Sequence, residues 1–567
     1  MTIDDIKNEL IKNRVASRIG AGDASLYDFD DEARACAENF MGWVNLGSNP
    51  PVSAGSIQTF ARSVMRDGID TILLLGQGGS TQAPMTITKY NKENTNVKFR
   101  IIDSVSPVRV REFLETSDPF STLILVSSKS GGTIEPNSLL MAIKQAYLPV
   151  LGEELYDHLV AITDPGSSLE EMAKRENWRK IFNGVPQVGG RYSALSVFGL
   201  VPAALTGIDV ERFLDEAANG EVECKADDTN NPAIDLAAFM YTNYLAGRNK
   251  FSFLTPKKGR VLGLWIEQLI AESLGKQGQG ITPNIELDSL LLATDTGDRY
   301  AITYDTETDL IDEQDNFELS LKYIDNAIPC KKFEIDTVYE LGRHFVMWEY
   351  ACAMCGYLMK VCPFDQPDVQ STKSATLKVL DSGLPDVGFT EVFVEAANMG
   401  QARVVKSEAL YSADTLHDSI KALLKSINKG DYFSINAFLP FCGEGRREAL
   451  DSIRTNVSRS FGVMSCLEIG PRFLHSTGQF QKGGPNNGVF LILSADELND
   501  IDLKNWKASS LGELARAQAT GDMQILSERG RRALHLHLPN NTGCALRLLK
   551  HVIYDVIDEI YAENGTH

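Results

Sequence analysis

The chain has 567 residues, 43% of them hydrophobic, and a mean hydropathy of -0.14. That composition is ordinary for a globular enzyme, and the length exceeds what one core usually serves, so two or three domains are expected. A formal charge of -21 argues against nucleic acid, whose phosphates demand a cationic face. An anionic substrate would then be held by local dipoles and a few placed cations.

Residues 1–50 carry helical spacing (Ile6, Leu10, Ile11, Val15) followed by aromatic-rich turns, and read as a packed N-terminal helical arm. Short apolar strands then alternate with helical patterns: Thr71–Leu75, Lys98–Ile102, Leu123–Val126 and Leu159–Ile162. This rhythm predicts a parallel sheet with right-handed crossovers, a doubly wound α/β domain over 51–217. The polar, breaker-rich stretch 218–232 reads as a boundary. A second α/β unit is expected over 233–430, with strands Phe251–Leu254 and Tyr300–Tyr304 and a long helix from about Val338 to Lys360. The remainder, 431–567, mixes strands and helices as an α/β C-terminal lobe. It contains Tyr432–Asn436, Val489–Leu493, Ala533–Leu538 and a final amphipathic helix.

Nine cysteines are scattered along the chain, an odd count that fits a reduced, cytoplasmic setting. Cys352 and Cys355 form a CxxC within a helical stretch, with no second pair at zinc-ribbon spacing, so they read as a packing face. The N-terminus has no apolar signal core. The longest apolar stretch, Ser193 to Ile208, is broken by Gly199, Pro202 and Gly207 and is too short to span a bilayer.

Gly76-Gln77-Gly78-Gly79-Ser80 follows an apolar strand directly. Glycines there let backbone N–H groups approach an anion, and the next helix turns its positive end toward it. Ser128-Lys129-Ser130-Gly131-Gly132-Thr133 repeats the arrangement after the third strand. Two such turns in one parallel sheet can converge on a single phosphate, although glycine and serine are also ordinary loop and cap residues. Neither turn matches the P-loop pattern, which favours a sugar phosphate over a nucleoside triphosphate. Gly189-Gly190-Arg191-Tyr192-Ser193 offers a permanent guanidinium suited to a developing enediolate oxygen. Glu272 lies four residues after Gln268 on one helix face, beside apolar Leu269, Ile270 and Ala271. Those neighbours predict partial burial, the setting in which a carboxylate becomes a stronger base. Lys373 follows Gln366 by seven residues near a helix start, where a cation is unfavourable for stability.

These motifs resemble, in kind and in order, those of the glucose-6-phosphate isomerases, enzymes built from two sugar-isomerase (SIS) domains. The C-terminal segment Ile469-Gly-Pro-Arg-Phe-Leu-His475-Ser-Thr-Gly-Gln-Phe-Gln-Lys-Gly-Gly-Pro is similar to the isomerase portion of bifunctional transaldolase/glucose-6-phosphate isomerases. The resemblance implies that Ser80, Ser128, Ser130 and Thr133 hold the phosphate and that Gly79 lets the chain approach the sugar. It further implies that Arg191 stabilises the enediolate and that Glu272 moves the proton between C2 and C1. Gln268 and Gln366 would orient hydroxyls, and Lys373 would assist ring opening. No metal, cofactor or membrane is implied, and the partner would be a small-molecule sugar phosphate. A homodimer is the assembly suggested by relatives that share a histidine across an interface.

The chain departs from the family in one place. The ring-opening histidine should stand between the glutamate and the lysine, yet that stretch reads Glu286-Leu-Asp288-Ser-Leu, and its one histidine, His344, sits in the long helix. The pattern Leu474-His475-Ser476-x-Gly478-Gln479-Phe480 appears later, so the functional segment is expected to have moved into the C-terminal lobe, with His475 returning to the site. His535 and His537, on one face of a strand, read as packing or surface residues.

Overall fold

The computed structural model describes residues 1–91, 97–285, 297–306, 311–324, 327–383, 390–393, 401–407, 410, 415–440, 445–538 and 543–563, with the side chains of 311–316, 323, 390–393, 401–403 and 544 left out. Three sheets organise the chain.

The first sheet contains β1 (Thr71–Gly76), β2 (Lys98–Ile102), β3 (Thr122–Ser127), β4 (Leu159–Thr163) and β5 (Lys180–Asn183) in the order β2-β1-β3-β4-β5. All its pairings are parallel. β1 and β3 are buried at every position, as continuous apolar runs between two helical layers must be, whereas edge strand β2 is largely uncovered. The second sheet, also parallel, contains β6 (Lys250–Leu254), β7 (Thr282–Ile285), β8 (Arg299–Thr306) and β9 (Cys330–Ile335) in the order β7-β6-β8-β9.

The third sheet has six strands: β10 (Thr390–Phe393), β11 (Gln401–Lys406), β12 (Tyr432–Phe438), β13 (Met464–Ile469), β14 (Gly488–Ala495) and β15 (Arg532–Leu538), ordered β10-β11-β15-β14-β12-β13. Its β12 to β15 part is parallel, and β11 and β10 are added antiparallel at one side. The sequence reading placed residues 390–406 with the second unit; they pair into the C-terminal sheet instead. Of the stretch 218–232 read as a boundary, 218–224 is helical, the end of a helix from Val210 to Cys224, and 225–231 joins it to the next helix, which starts at Pro232. Gly220 sits inside that helix because a Cβ there would lie 3.0 Å from the Arg343 Cα, so the two helices pack backbone to backbone.

The first two sheets share one apolar core, which also takes in Ile6, Leu10, Val15 and Ile19 of the N-terminal helices Ile3–Lys12 and Val15–Gly20. Tyr27 is fixed to this core through a hydrogen bond from its hydroxyl to the Ala353 carbonyl at 3.0 Å. The third sheet has its own core on one face, under the final helix Gly543–Glu563. On its other face Phe473, Leu474 and Phe480 pack with Ala271 of the helix Arg260–Leu274. That contact joins the C-terminal lobe to the helix carrying Glu272. Among the described residues, no helix is long and apolar enough to cross a membrane.

Candidate active site

In the first sheet the strand order reverses between β1 and β3, and a crevice opens outside the carboxyl ends of strands at such a point. Both glycine- and hydroxyl-rich turns lie there. Gly78 takes φ +55°, a conformation glycine adopts at little cost, and the helix Gly79–Tyr90 starts immediately after it. A Cβ on Gly79 would fall 1.9 Å from the Gly190 carbonyl oxygen, so the Gly189-Gly190-Arg191 turn packs directly on the first anion turn. Ser80 is buried. In the second turn the buried Ser128 hydroxyl donates to Thr133 Oγ1 at 3.0 Å. Thr133 occupies the cap position of the helix Ile134–Leu151, and the exposed Ser130 accepts from the Gly132 N–H at 3.3 Å. Lys129 turns away to pair with Asp164.

Arg191 is 2% exposed and held on several sides. Its Nε donates to Ser273 Oγ at 2.7 Å, Nη1 to Gln366 Oε1 at 2.9 Å, and Nη2 to the carbonyls of Pro363 at 2.7 Å and Asp365 at 2.8 Å. Glu272 Oε1 stands 3.5 Å from Nη1, and Gln268 Nε2 donates to Glu272 Oε2 at 3.2 Å. The guanidinium is thus rigidly placed, and the buried carboxylate beside it is oriented by a neighbour one helical turn back. Lys276 extends the same arrangement. Its buried ammonium donates to the Cys362 and Asp365 carbonyls at 2.6 Å each and pairs with the Asp365 carboxylate. The loop 362–366 is therefore gripped by two cations.

His475 ends a short helical turn, Arg472–His475, beside Gly78: a Cβ built on Gly78 would meet His475 Cβ at 3.0 Å and Gln268 Nε2 at 2.9 Å. Its Nε2 lies 2.9 Å from Glu135 Oε1, which also accepts from Gln518 Nε2 at 2.7 Å. Burial alone would raise the Glu135 carboxyl, but the His475 imidazole, with help from the Lys373 charge, holds it below the usual carboxylate range. Lys373 itself is exposed, on the helix Pro367–Ser382. Glu135 was missed in the sequence. Its signal was a lone acid in the first turn of a helix, a placement the helix dipole favours on any protein.

The segment after His475 is anchored from inside. Gln479 Oε1 accepts the Asp368 and Val369 N–H groups at 2.9 and 3.2 Å, and its Nε2 donates to the Gly275 carbonyl at 3.0 Å and Asp368 Oδ2 at 2.7 Å. Lys482 pairs with Asp522 at 2.6 Å with 1% and 0% of their side chains exposed. One short helix, Gly478–Gly483, thereby ties the lobe both to the start of the Lys373 helix and to the end of the Glu272 helix.

Other candidates fall away. His344 is a core histidine whose Nδ1 lies 3.0 Å from the Tyr304 hydroxyl, with its pKa lowered to about 4 chiefly by burial. His535 and His537 both contact Ser494 Oγ at 2.8 Å, and burial takes His535 down to about 3. Cys352 and Cys355 are buried and donate to different carbonyls, Leu269 and Ala237. The stretch Glu286 to Leu290, where the family histidine would stand, lies outside the described residues.

The phosphoglucose isomerase family profile matches residues 53–297, which include both anion turns, Arg191, Gln268 and Glu272 but not Gln366, Lys373 or His475. A probable glucose-6-phosphate isomerase of Methanococcus maripaludis is 30% identical over 357 residues, covering 56% of this chain and 80% of that protein. The glucose-6-phosphate isomerase of Trichormus variabilis is 33% identical over 269 residues, 44% of this chain, and the match spans only 50% of the relative's length. In fold, a hypothetical protein from Thermus thermophilus superposes with a TM-score of 0.57 at 23% identity, over 66% of this chain and 95% of that one. A glucose-6-phosphate isomerase from Chlamydia trachomatis gives 0.54 at 18% identity, over 67% and 86%. On this evidence the chain belongs to the phosphoglucose isomerase family.

Proposed function

We propose that the chain interconverts glucose 6-phosphate and fructose 6-phosphate as an aldose–ketose isomerase. The observation that carries this reading is the Arg191–Glu272 pair, 3.5 Å apart and buried, on elements that pack against the Gly78-Gly79 turn. Phosphate binds across Ser80, Ser128, Ser130 and Thr133, with Gly79 giving the backbone its close approach. The His475–Glu135 pair, with Lys373 nearby, moves the proton needed to open the sugar ring, because an imidazole aligned by a carboxylate can both give and take a proton. Glu272 then takes the proton from C2 and returns it at C1, while Arg191 faces the negative oxygen of the cis-enediolate. Gln268 and Gln366 hold Glu272 and Arg191 and present polar groups to the sugar hydroxyls.

His475 comes from the same chain as Glu272, so a complete site does not require a homodimer. The C-terminal lobe follows the isomerase portion of transaldolase fusions in this reading, and the compartment is the cytoplasm. A dual glucose/mannose phosphate isomerase would differ only in which sugar is turned over faster. A non-catalytic sugar-phosphate sensor has no use for the buried Arg191–Glu272 pair. The test is conversion of fructose 6-phosphate to glucose 6-phosphate in the presence of a chelator, by wild type and Glu272→Gln. Wild type should turn over, and the variant should lose about 10²–10⁴-fold while still binding phosphate. Near-wild-type turnover by the variant would remove Glu272 as the base, and a collapse of wild type with the chelator would point to metal chemistry.

A further inference from the structure

We propose that Cys36 and Cys362 form a redox-active dithiol that closes to a disulfide on reaction with a hydroperoxide, tying the N-terminal arm to the loop that seats Arg191. The two sulfurs and an Asp365 carboxylate oxygen all lie within 4.8 Å of one another. Cys36 comes from the helix Asp31–Phe40 and Cys362 from the segment just after the helix Leu341–Met359, so the contact joins distant parts of the sequence. Cys36 is partly exposed, which gives a small oxidant a way in, whereas Cys362 is 4% exposed. Cys352 and Cys355, by contrast, are fully buried and spend their thiols on separate carbonyls.

The surroundings favour a thiol pair over a metal centre. Lys276 already occupies the Asp365 carboxylate and donates to the Cys362 carbonyl, so a cation placed between the sulfurs would face a buried ammonium. A disulfide adds no charge. The same ammonium assists a thiolate. The neighbouring Cys36 thiol brings Cys362 below its ordinary range against the opposing effects of burial and of the Asp365 charge, with Lys276 helping. The same closeness raises Cys36, so of the two sulfurs Cys362 is the one better suited to attack an oxidant.

The chemistry balances with a hydroperoxide as oxidant. The Cys362 thiolate attacks the peroxide, the O–O bond breaks, and the leaving oxygen takes the Cys36 proton to depart as alcohol or water. The Cys36 thiolate then attacks the Cys362 sulfenic sulfur, forming the S–S bond and releasing hydroxide, which solvent protonates. Two thiols are oxidised by two electrons and the peroxide is reduced. The bond would fix Cys362, the residue before Pro363, whose carbonyl accepts Arg191 Nη2. Closing a loop from residue 36 to residue 362 restricts the unfolded chain and stabilises the fold.

The experiment uses the reduced full chain and does not depend on turnover, so it is independent of the isomerase reading. The protein is exposed to a few equivalents of hydrogen peroxide, its thiols are counted, its peptides are mapped by mass spectrometry without reduction, and its thermal midpoint is measured. Two of the nine thiols should disappear. A peptide pair joined through Cys36 and Cys362 should appear, and the midpoint should rise by about 3 °C or more. Dithiothreitol should reverse all three. Cys36→Ser, which exchanges sulfur for oxygen at a partly exposed helix position, and Cys362→Ser should each abolish the link and the rise. A full thiol count in wild type, a link between other cysteines, or the same rise in Cys36→Ser would overturn the inference.

Discussion

Ser80, Ser128 and Thr133 are placed by short-range means: a buried strand ends, a turn follows, and a helix begins, at the carboxyl ends of β1 and β3. His475 and its anchors come from a different sheet, through a short helix wedged against the ends of two others. The anion side would keep its shape as long as the first sheet stands. The histidine side depends on how well the C-terminal lobe docks. On the proposed function, a site divided in this way would place phosphate binding on one side and ring opening on the other, a division the following variants test.

The largest effect on the histidine side should come from Lys482→Met. It leaves Asp522 fully buried and without its partner, a loss of roughly 3–5 kcal/mol. Chemical denaturation should show that loss in the transition reporting the C-terminal lobe. A change below about 1 kcal/mol would mean that the lobe does not depend on this pair. On the anion side, Gly79→Ala should cost roughly 1–3 kcal/mol, because the added methyl collides with the Gly190 carbonyl and the two turns must part. Phosphate binding, read by protection against heat, should weaken in that variant and survive in Lys482→Met. Equal loss of phosphate binding in both would erase the division between the two sides.

The smallest effect concerns acid. Glu135 has a folded pKa held below the usual carboxylate value of 4.5. A depressed carboxyl contributes stability that is present above the unfolded value and is lost as pH falls through the folded one. Wild type should therefore lose the Glu135–His475 contribution below about pH 4.5, and Glu135→Gln should show a flatter acid profile. An unchanged acid limb in the variant would show that the pair adds nothing to docking of the His475 segment.

The sequence was most legible where chemistry follows a strand directly. β1 and β3 are buried at every position, and the glycine- and hydroxyl-rich turns follow them directly. Arg191 and Glu272 stood out through short local motifs, but only Glu272 has a hydrogen-bond partner in its own motif, Gln268; Ser273, Pro363, Asp365 and Gln366, which hold Arg191, lie 82 to 175 residues away. β7 was missed because a four-residue strand containing Pro283 breaks the pattern, and β9 because an edge strand with lysines reads as surface. The boundary at 218–232 misled because Asn219 and Gly220 look like breakers, and only the approach of the helix Leu341–Met359 explains a helical glycine there. The one local signal of Glu135, an acid in the first turn of a helix, is common to many helices, and its contact with His475 comes from 340 residues away.

The most direct test of the account is turnover by His475→Ala on cyclic sugar phosphate and on the same sugar supplied in its open-chain form, with Glu272→Gln as the control for the proton-transfer step. The account predicts that His475→Ala slows the cyclic substrate at least about tenfold more than the open-chain one, while Glu272→Gln slows both alike. Equal slowing of both forms by His475→Ala would contradict a ring-opening role for the histidine delivered by the C-terminal lobe.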